Sequence, residues 1–131
     1  MQDFLATYRV QFARDFDFDQ AASASLYLKD LGISHLYVSP VLKPVPGSTH
    51  GYDVVDFKKV NPALGGEEAF KRLCGMLRVS EMGMILDIVP NHMAAHPREN
   101  PYWQDVLAIG PLSPYADFFD IDWLTPDIKT W

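Results

Sequence analysis

Asp87, Asn91 and His92 are the residues of this sequence placed to do chemistry. They belong to the run 84–93, MILDIVPNHM, in which Met84, Ile85, Leu86, Ile88 and Val89 surround a single aspartate. An ionised carboxylate in so apolar a setting is costly unless it is paired or hydrogen-bonded. Asp87 therefore either has a partner across a core or works at a site. The run is rich in branched residues and reads as a buried parallel strand. Side chains alternate along a strand, so Asp87, Val89 and Asn91 share a face if the strand continues that far. Parallel β/α proteins build their sites where such strands end.

The elements that must position these residues alternate along the chain. Residues 4–12, FLATYRVQF, read as a strand of β-branched and aromatic residues. Asp17 with Gln20 makes a capping box for a helix. Its apolar stripe is expected at Ala21, Ala24, Leu28 and Leu31, and Gly32 ends it. Residues 33–39, ISHLYVS, read as a second strand. Residues 40–52 form a long loop with Pro40, Pro44, Pro46, Gly47 and Gly51, and 53–60 a short extended arm. Long loops in compact domains are commonly functional. After turn signals at Asn61-Pro62 and Gly65-Gly66, Glu67 and Glu68 suit the first turn of a second helix. Its stripe is expected at Phe70, Leu73, Cys74 and Leu77, with Gly83 ending it before the third strand. This order implies an α/β fold with a parallel sheet and right-handed crossovers. Residues 94–131 differ in texture, with scattered prolines and the aromatics Tyr102, Trp103, Tyr115, Phe118, Phe119, Trp123 and Trp131. They read as an insertion after the third strand, with a helical piece over 101–109.

Composition narrows the class of function. The 131 residues suffice for an ordinary core, and an apolar share of 48% argues for a globular chain. A net charge of -6 without a basic run argues against nucleic acid or an anionic membrane as partner. No apolar run approaches membrane-spanning length and no secretory signal is visible. Cys74 stands alone, so no internal disulfide forms and a reducing compartment, the cytoplasm, is expected. His92 and His96 have helical zinc spacing, but the glutamate is missing and Pro90 and Pro97 discourage a helix. Asp117, Asp120 and Asp122 lack the glycine and glutamate of a calcium loop. No metal and no cofactor is assigned, and no G-x-G-x-x-G loop points to a dinucleotide.

Asp87-Ile88-Val89-Pro90-Asn91-His92 resembles the first sequence region of the α-amylase superfamily, D-x-x-x-N-H. Within it, Thr7-Tyr8-Arg9-Val10-Gln11, Leu36-Tyr37-Val38-Ser39-Pro40, residues 46–56 (PGSTHGYDVVD), Leu64-Gly65-Gly66-Glu67-Glu68 and Phe119-Asp120-Ile121-Asp122-Trp123 resemble the maltooligosyl trehalose synthases, a family of glycoside hydrolase family 13. The resemblance covers 7–123. It implies a TIM (β/α)8 barrel that converts the reducing-end α-1,4 link of a maltooligosaccharide into an α,α-1,1 link. The chemistry it implies is that of a retaining glycosidase, with sugar rather than water as acceptor. A barrel needs about 250 residues, so this chain is expected to hold only the first three βα units, the rest of the barrel being a partner missing from it. The family's nucleophilic Asp, acid/base Glu and supporting Asp sit on later strands, and no catalytic residue is assigned here.

By the same resemblance, His92 hydrogen-bonds sugar hydroxyls and the Tyr52 ring stacks on the same sugar, while His50 reaches a hydroxyl. The bland alternatives are a structural histidine and loop packing. Asp87, Asn91, Asp53 and Gln11 support the site, Asn91 by bonding the adjacent loop and Gln11 with a core hydrogen bond as its alternative. Tyr102, Trp103 and Trp123 either wall the site from water, favouring transfer over hydrolysis, or simply pack the insertion. The rival functions are another amylase-type hydrolase and a non-catalytic sugar-binding fragment. Incubated with maltopentaose, the isolated 131 residues are expected to form no trehalose-capped product and to release no glucose, as a product chromatogram would show.

Overall fold

The computed structural model describes residues 3–124. They fall in two compact units, one up to Ala94 and one from Ala95 onward. The first unit is built on a parallel three-stranded sheet in the order β1 (Thr7–Val10), β2 (His35–Val38), β5 (Gly83–Leu86). Helix α1 (Phe18–Asp30) connects β1 to β2, and α2 (Gly66–Val79) leads into β5. Val10, Leu36 and Val38 share one buried core with Phe18, Ala21, Leu28, Leu73 and Leu77. One face of the sheet is thus covered by helices.

The capping box at α1 forms. The Asp17 carboxylate accepts from Asp19 N–H at 2.9 Å and Gln20 N–H at 3.0 Å, and Gln20 Oε1 accepts from Asp17 N–H at 2.7 Å. Such a cap stabilises a helix by about 1 kcal/mol. The buried stripe of α1 differs from the expected one. It is Phe18, Ala21, Ala22, Ser25 and Leu28, whereas Ala24 is half-buried and Leu31 is 57% exposed at the C-cap. Phe18 sets the phase, because its ring packs edge-on against Phe12 at 4.8 Å and Phe70 at 5.4 Å. Ser25 is accommodated in the stripe by donating to Ala22 O at 2.7 Å.

Helix α2 buries Ala69, Leu73 and Leu77, while Cys74 is exposed rather than part of the stripe. Arg72 grips Asp19 with both prongs, Nε to Oδ1 at 2.8 Å and Nη2 to Oδ2 at 2.7 Å, and so ties α2 to α1. This hydrogen-bonded guanidinium holds the Asp19 carboxyl below the usual carboxylate range. The helix ends at Val79, not at Gly83. Glu81 takes the positive-φ position (φ 51), and Gly83 instead opens β5. Gly83 is small for a packing reason, since a Cβ there would lie 2.2 Å from Cδ2 of His35, its register partner on β2.

The long connection after β2 is more ordered than expected. It contains β3 (Leu42–Pro44), paired antiparallel with β4 (Val54–Val60), the expected extended arm. Val54 and Val55 anchor this ribbon at 1% and 0% exposure. Strand β5 is shorter and less covered than expected. It stops at Leu86, and Leu86 and Ile88 are 42% and 64% exposed. Among the described residues β5 pairs only with β2.

In the second unit α3 (Pro101–Ile109) is capped by Asn100, whose side chain accepts from Tyr102 N–H at 2.9 Å and Trp103 N–H at 3.0 Å. Tyr102 packs against Tyr115 and Phe118 at 5.0 and 5.4 Å, and Trp103 against Phe119 at 4.7 Å. Residues 125–131, including Trp131, lie outside the described residues.

Replacing Gly83 by Ala should destabilise the chain by about 1–3 kcal/mol through overpacking, because the intruding atom meets a ring also held by Ser34 Oγ at 2.9 Å. Urea unfolding of Gly83→Ala beside the Gly83→Ala, His35→Ala double variant checks this: the second change should recover part of the loss.

Candidate functional site

Alternation along the parallel strands divides their side chains between the two faces. Register pairs Arg9 with Tyr37 and Tyr37 with Ile85. These residues alternate with the helix-packed Val10, Leu36 and Val38 and therefore occupy the opposite face. Asp87 lies two residues beyond Ile85 in the same phase, and its N–H still bonds Val38 O at 3.0 Å. The carboxylate thus stands at the C-terminal end of the sheet, on the face away from the helices.

Three side chains converge on Oδ2 of Asp87. The Tyr52 hydroxyl donates to it at 2.5 Å and the Tyr37 hydroxyl at 3.2 Å, with Arg9 Nη2 at 3.6 Å. Arg9 Nη2 also donates to the Tyr52 oxygen at 2.9 Å, and its guanidinium carbon lies 5.3 Å from the centre of the Tyr37 ring. Arg9 Nη1 donates to Gln11 Oε1 at 3.3 Å, and Gln11 Nε2 donates to the backbone oxygen of His50 at 3.4 Å. The carboxylate at the end of an apolar strand is therefore satisfied by two phenols and a cation. Among the described residues no hydrogen bond reaches Oδ1 of Asp87.

The segment carrying Tyr52 is held from within. Asp53 Oδ1 accepts from the Ser48 hydroxyl at 2.5 Å, and Ser48 Oγ accepts from Gly51 N–H at 3.1 Å. Gly51 has φ +80, and a Cβ on it would sit 3.2 Å from the Pro40 oxygen, so glycine is required by both conformation and space. Tyr52 N–H donates to His50 Nδ1 at 3.0 Å, whereas Asp53 Oδ1 is 3.8 Å from the same nitrogen. The shorter contact decides the tautomer: Nδ1 accepts, so the neutral ring carries its proton on Nε2 and offers a donor outward. The His50 ring stacks beside Tyr52 with centroids 6.0 Å apart and planes 24° from parallel.

Hydrogen bonding to Asp87, with burial and the carboxylate charge behind it, pushes the Tyr52 phenol above its usual range, against the opposing pull of Arg9. The Arg9 guanidinium is raised by Tyr37 first and Tyr52 second, with burial working against both. At neutral pH the cluster therefore holds a neutral phenol on Tyr52 and a charged guanidinium.

The structure gathers Gln11, His50, Tyr52, Asp53 and Asp87 into one connected group. Asn91 and His92 follow β5 as exposed residues and form no hydrogen bond with that group. Sequence reasoning gave no role to Arg9 or Tyr37. Their signal was phase: each shares the alternation of Asp87, but only the register reveals it. A concavity of about 440 Å³ lies across the 47–51 segment, walled by Phe12, Arg14, Pro40, Ser48, His50 and Leu64. Among the described residues no three His, Cys, Asp or Glu side chains are grouped to hold a metal ion, and no helix is long and apolar enough to cross a membrane.

The family model described as alpha amylase, catalytic domain, matches residues 21–130. The chain belongs to the α-amylase family. Its parallel β/α units are those of an α-amylase-type barrel, of which the chain holds the first three strands. Among family members, it is similar to a putative maltooligosyl trehalose synthase of Mycobacterium tuberculosis H37Rv, 50% identical over 125 residues, which are 91% of this chain and 16% of that protein. It is 37% identical over 95 residues to an intracellular maltogenic amylase of Bacillus subtilis 168, covering 72% of this chain and 15% of the relative. In structure it matches maltooligosyltrehalose synthase from Arthrobacter ramosus with a TM-score of 0.85 and 48% identity, over 90% of this chain and 16% of that one. The chain thus spans about one-sixth of the length of these synthases.

The raised phenol has a consequence in pH. The stability that Tyr52 contributes is fully present below the ordinary tyrosine value of about 10 and is lost as pH rises through its raised value. Ultraviolet titration of the chain should show a late-ionising tyrosine component, and Tyr52→Phe should remove that component.

Proposed function

We propose that this chain is the N-terminal part of a maltooligosyl trehalose synthase, an isomerase that turns the reducing-end α-1,4 link of a maltodextrin into an α,α-1,1 link by intramolecular transfer. The observation that carries this reading is the 50% identity over 125 residues to a putative maltooligosyl trehalose synthase, against 37% over 95 residues to a maltogenic amylase. The substrate is a maltooligosaccharide and the compartment the cytoplasm. The nucleophile and the acid/base come from strands outside this chain, and residues 94–131 form an insertion after the third strand.

In this reading the residues present bind and orient the sugar. The Tyr52 ring offers an apolar face to the C–H face of a glucosyl unit. Its hydroxyl, tied to Asp87, keeps that side chain from swinging away. His50 Nε2–H and the His92 imidazole donate to hydroxyls, and Asp87 Oδ1 accepts one. Asp53 holds the tyrosine segment through Ser48 and Gln11 holds it through His50, whereas Asn91, expected to bond the adjacent loop, makes no hydrogen bond among the described residues. Fixing a ring so that its anomeric carbon meets a nucleophile lowers the entropic part of the barrier. Recapture of the released glucose in place of water sets the synthase apart from a hydrolase.

The test uses the protein encoded by the complete reading frame that contains this sequence, supplied with maltopentaose. Reducing ends should disappear while free glucose stays low. A gain of reducing ends matching the bonds cleaved would instead make the protein an amylase-type hydrolase. Asp87→Asn should lower kcat/KM by about 100-fold through misplacement of the sugar, measured by the rate of loss of reducing ends.

A further inference from the structure

Arg9 is the member of the Asp87 cluster with the greatest number of partners among its side chains, and the function proposed above gives it nothing to do. One guanidinium nitrogen, Nη2, donates to the Tyr52 oxygen at 2.9 Å and lies 3.6 Å from Asp87 Oδ2. The other, Nη1, donates to Gln11 at 3.3 Å, and the planar group lies against the Tyr37 ring at 5.3 Å. A guanidinium is planar with donors in a fixed fork, so these contacts fix its orientation as well as its position. Tyr52 is then held from two sides. Its hydroxyl donates to the carboxylate and accepts from the cation, which uses its single proton and one lone pair in defined directions. A phenol oxygen fixed at two points leaves the ring no freedom to swing about its Cβ. Arg9 comes from β1, a rigid element, whereas Tyr52 sits on the 47–53 segment, 43 residues further on. The cation is therefore the strand-borne reference against which a loop-borne aromatic ring is set.

We propose that Arg9 is a positioning residue for the sugar platform: acting through the Tyr52 hydroxyl, it fixes the angle of the Tyr52 ring and the aim of the Asp87 carboxylate, and so controls how a glucosyl unit is seated without touching it. This rests on the sugar-handling function proposed above. It also goes beyond it, because it assigns the control of that site to a residue outside the sugar contacts. Lysine is a poor substitute in this role, since a single ammonium point cannot hold Gln11, Tyr52 and the Tyr37 face together.

The experiment is a double-mutant cycle on the protein encoded by the complete reading frame, with maltopentaose as substrate. Arg9→Met should lower kcat/KM by about 10- to 100-fold, the loss expected when a reacting ring is misplaced. Arg9→Lys should recover little of it. In the Tyr52→Phe background the Arg9→Met change should cost less than about twofold, because its route to the sugar has already been cut. Equal losses in both backgrounds, or no loss in the first, would overturn the proposal. A second readout needs no turnover and uses the same protein, the component that Tyr52→Phe removes from its ultraviolet titration being the Tyr52 signal. Arg9 opposes the upward shift of the Tyr52 phenol, so Arg9→Met should move the late-ionising tyrosine further up in pH; an unmoved titration would show that Arg9 does not act on Tyr52. The function proposed above fails separately, by the identity of the products, since the cycle reads the same coupling whether the sugar is transferred or hydrolysed.

Discussion

A single carboxylate oxygen organises this half of the site. Asp87, just beyond β5, draws to its Oδ2 one residue from each of the other two parallel strands, Arg9 from β1 and Tyr37 from β2, and Tyr52 from the connection that follows β2. The strands bring these groups within reach because they are parallel and in register, so that residues of one phase end together at one edge. The charge then does what register alone does not. Leaving a carboxylate unsatisfied there would be costly, and these side chains satisfy it in one arrangement.

That arrangement depends on an uneven treatment of the sheet. One face is closed by α1 and α2, with Phe18, Leu36, Leu73 and Val38 fully or almost fully buried. The two helices are tied to each other by Arg72 and Asp19, at the solvent side, where the pair fixes orientation more than it adds stability. The other face carries the polar cluster. In an α-amylase-type barrel this is the inward face, and its polar character near the strand ends is what a site at the C-terminal rim requires.

Much of this was legible in the sequence, and the failures have physical causes. The alternation of strands and helices followed from patterning, and the capping box at Asp17 from local chemistry. The stripe of α1 was misplaced because a rule of spacing does not know where the stripe begins, which the contact of Phe18 with Phe12 and Phe70 decides. Glycine is common just past a helix, so local pattern points to Gly83 as a terminator. Its true constraint is the His35 ring on a neighbouring strand, a long-range contact that no local rule contains. The site was half legible. Asp87, Tyr52 and His50 stood in recognisable motifs, whereas Arg9 and Tyr37 sit in strands that look merely amphipathic until the register is known. The extended arm that forms β4 was legible, but its partner β3 was hidden among the prolines and glycines of 40–52, which read as loop.

Among the described residues β5 has a partner on one side only, which bears on how such a barrel is made. Strand order in the parallel sheet follows chain order, β1 then β2 then β5, and chains emerge from the ribosome N-terminus first. Each strand therefore meets a partner already in place, and the growing edge is always the newest one. Leu86, in register with Val38, and Ile88 just beyond the strand leave apolar surface exposed on the helix-side phase next to that edge. Apolar surface that stays open while a chain is being made is surface that other nascent chains can join.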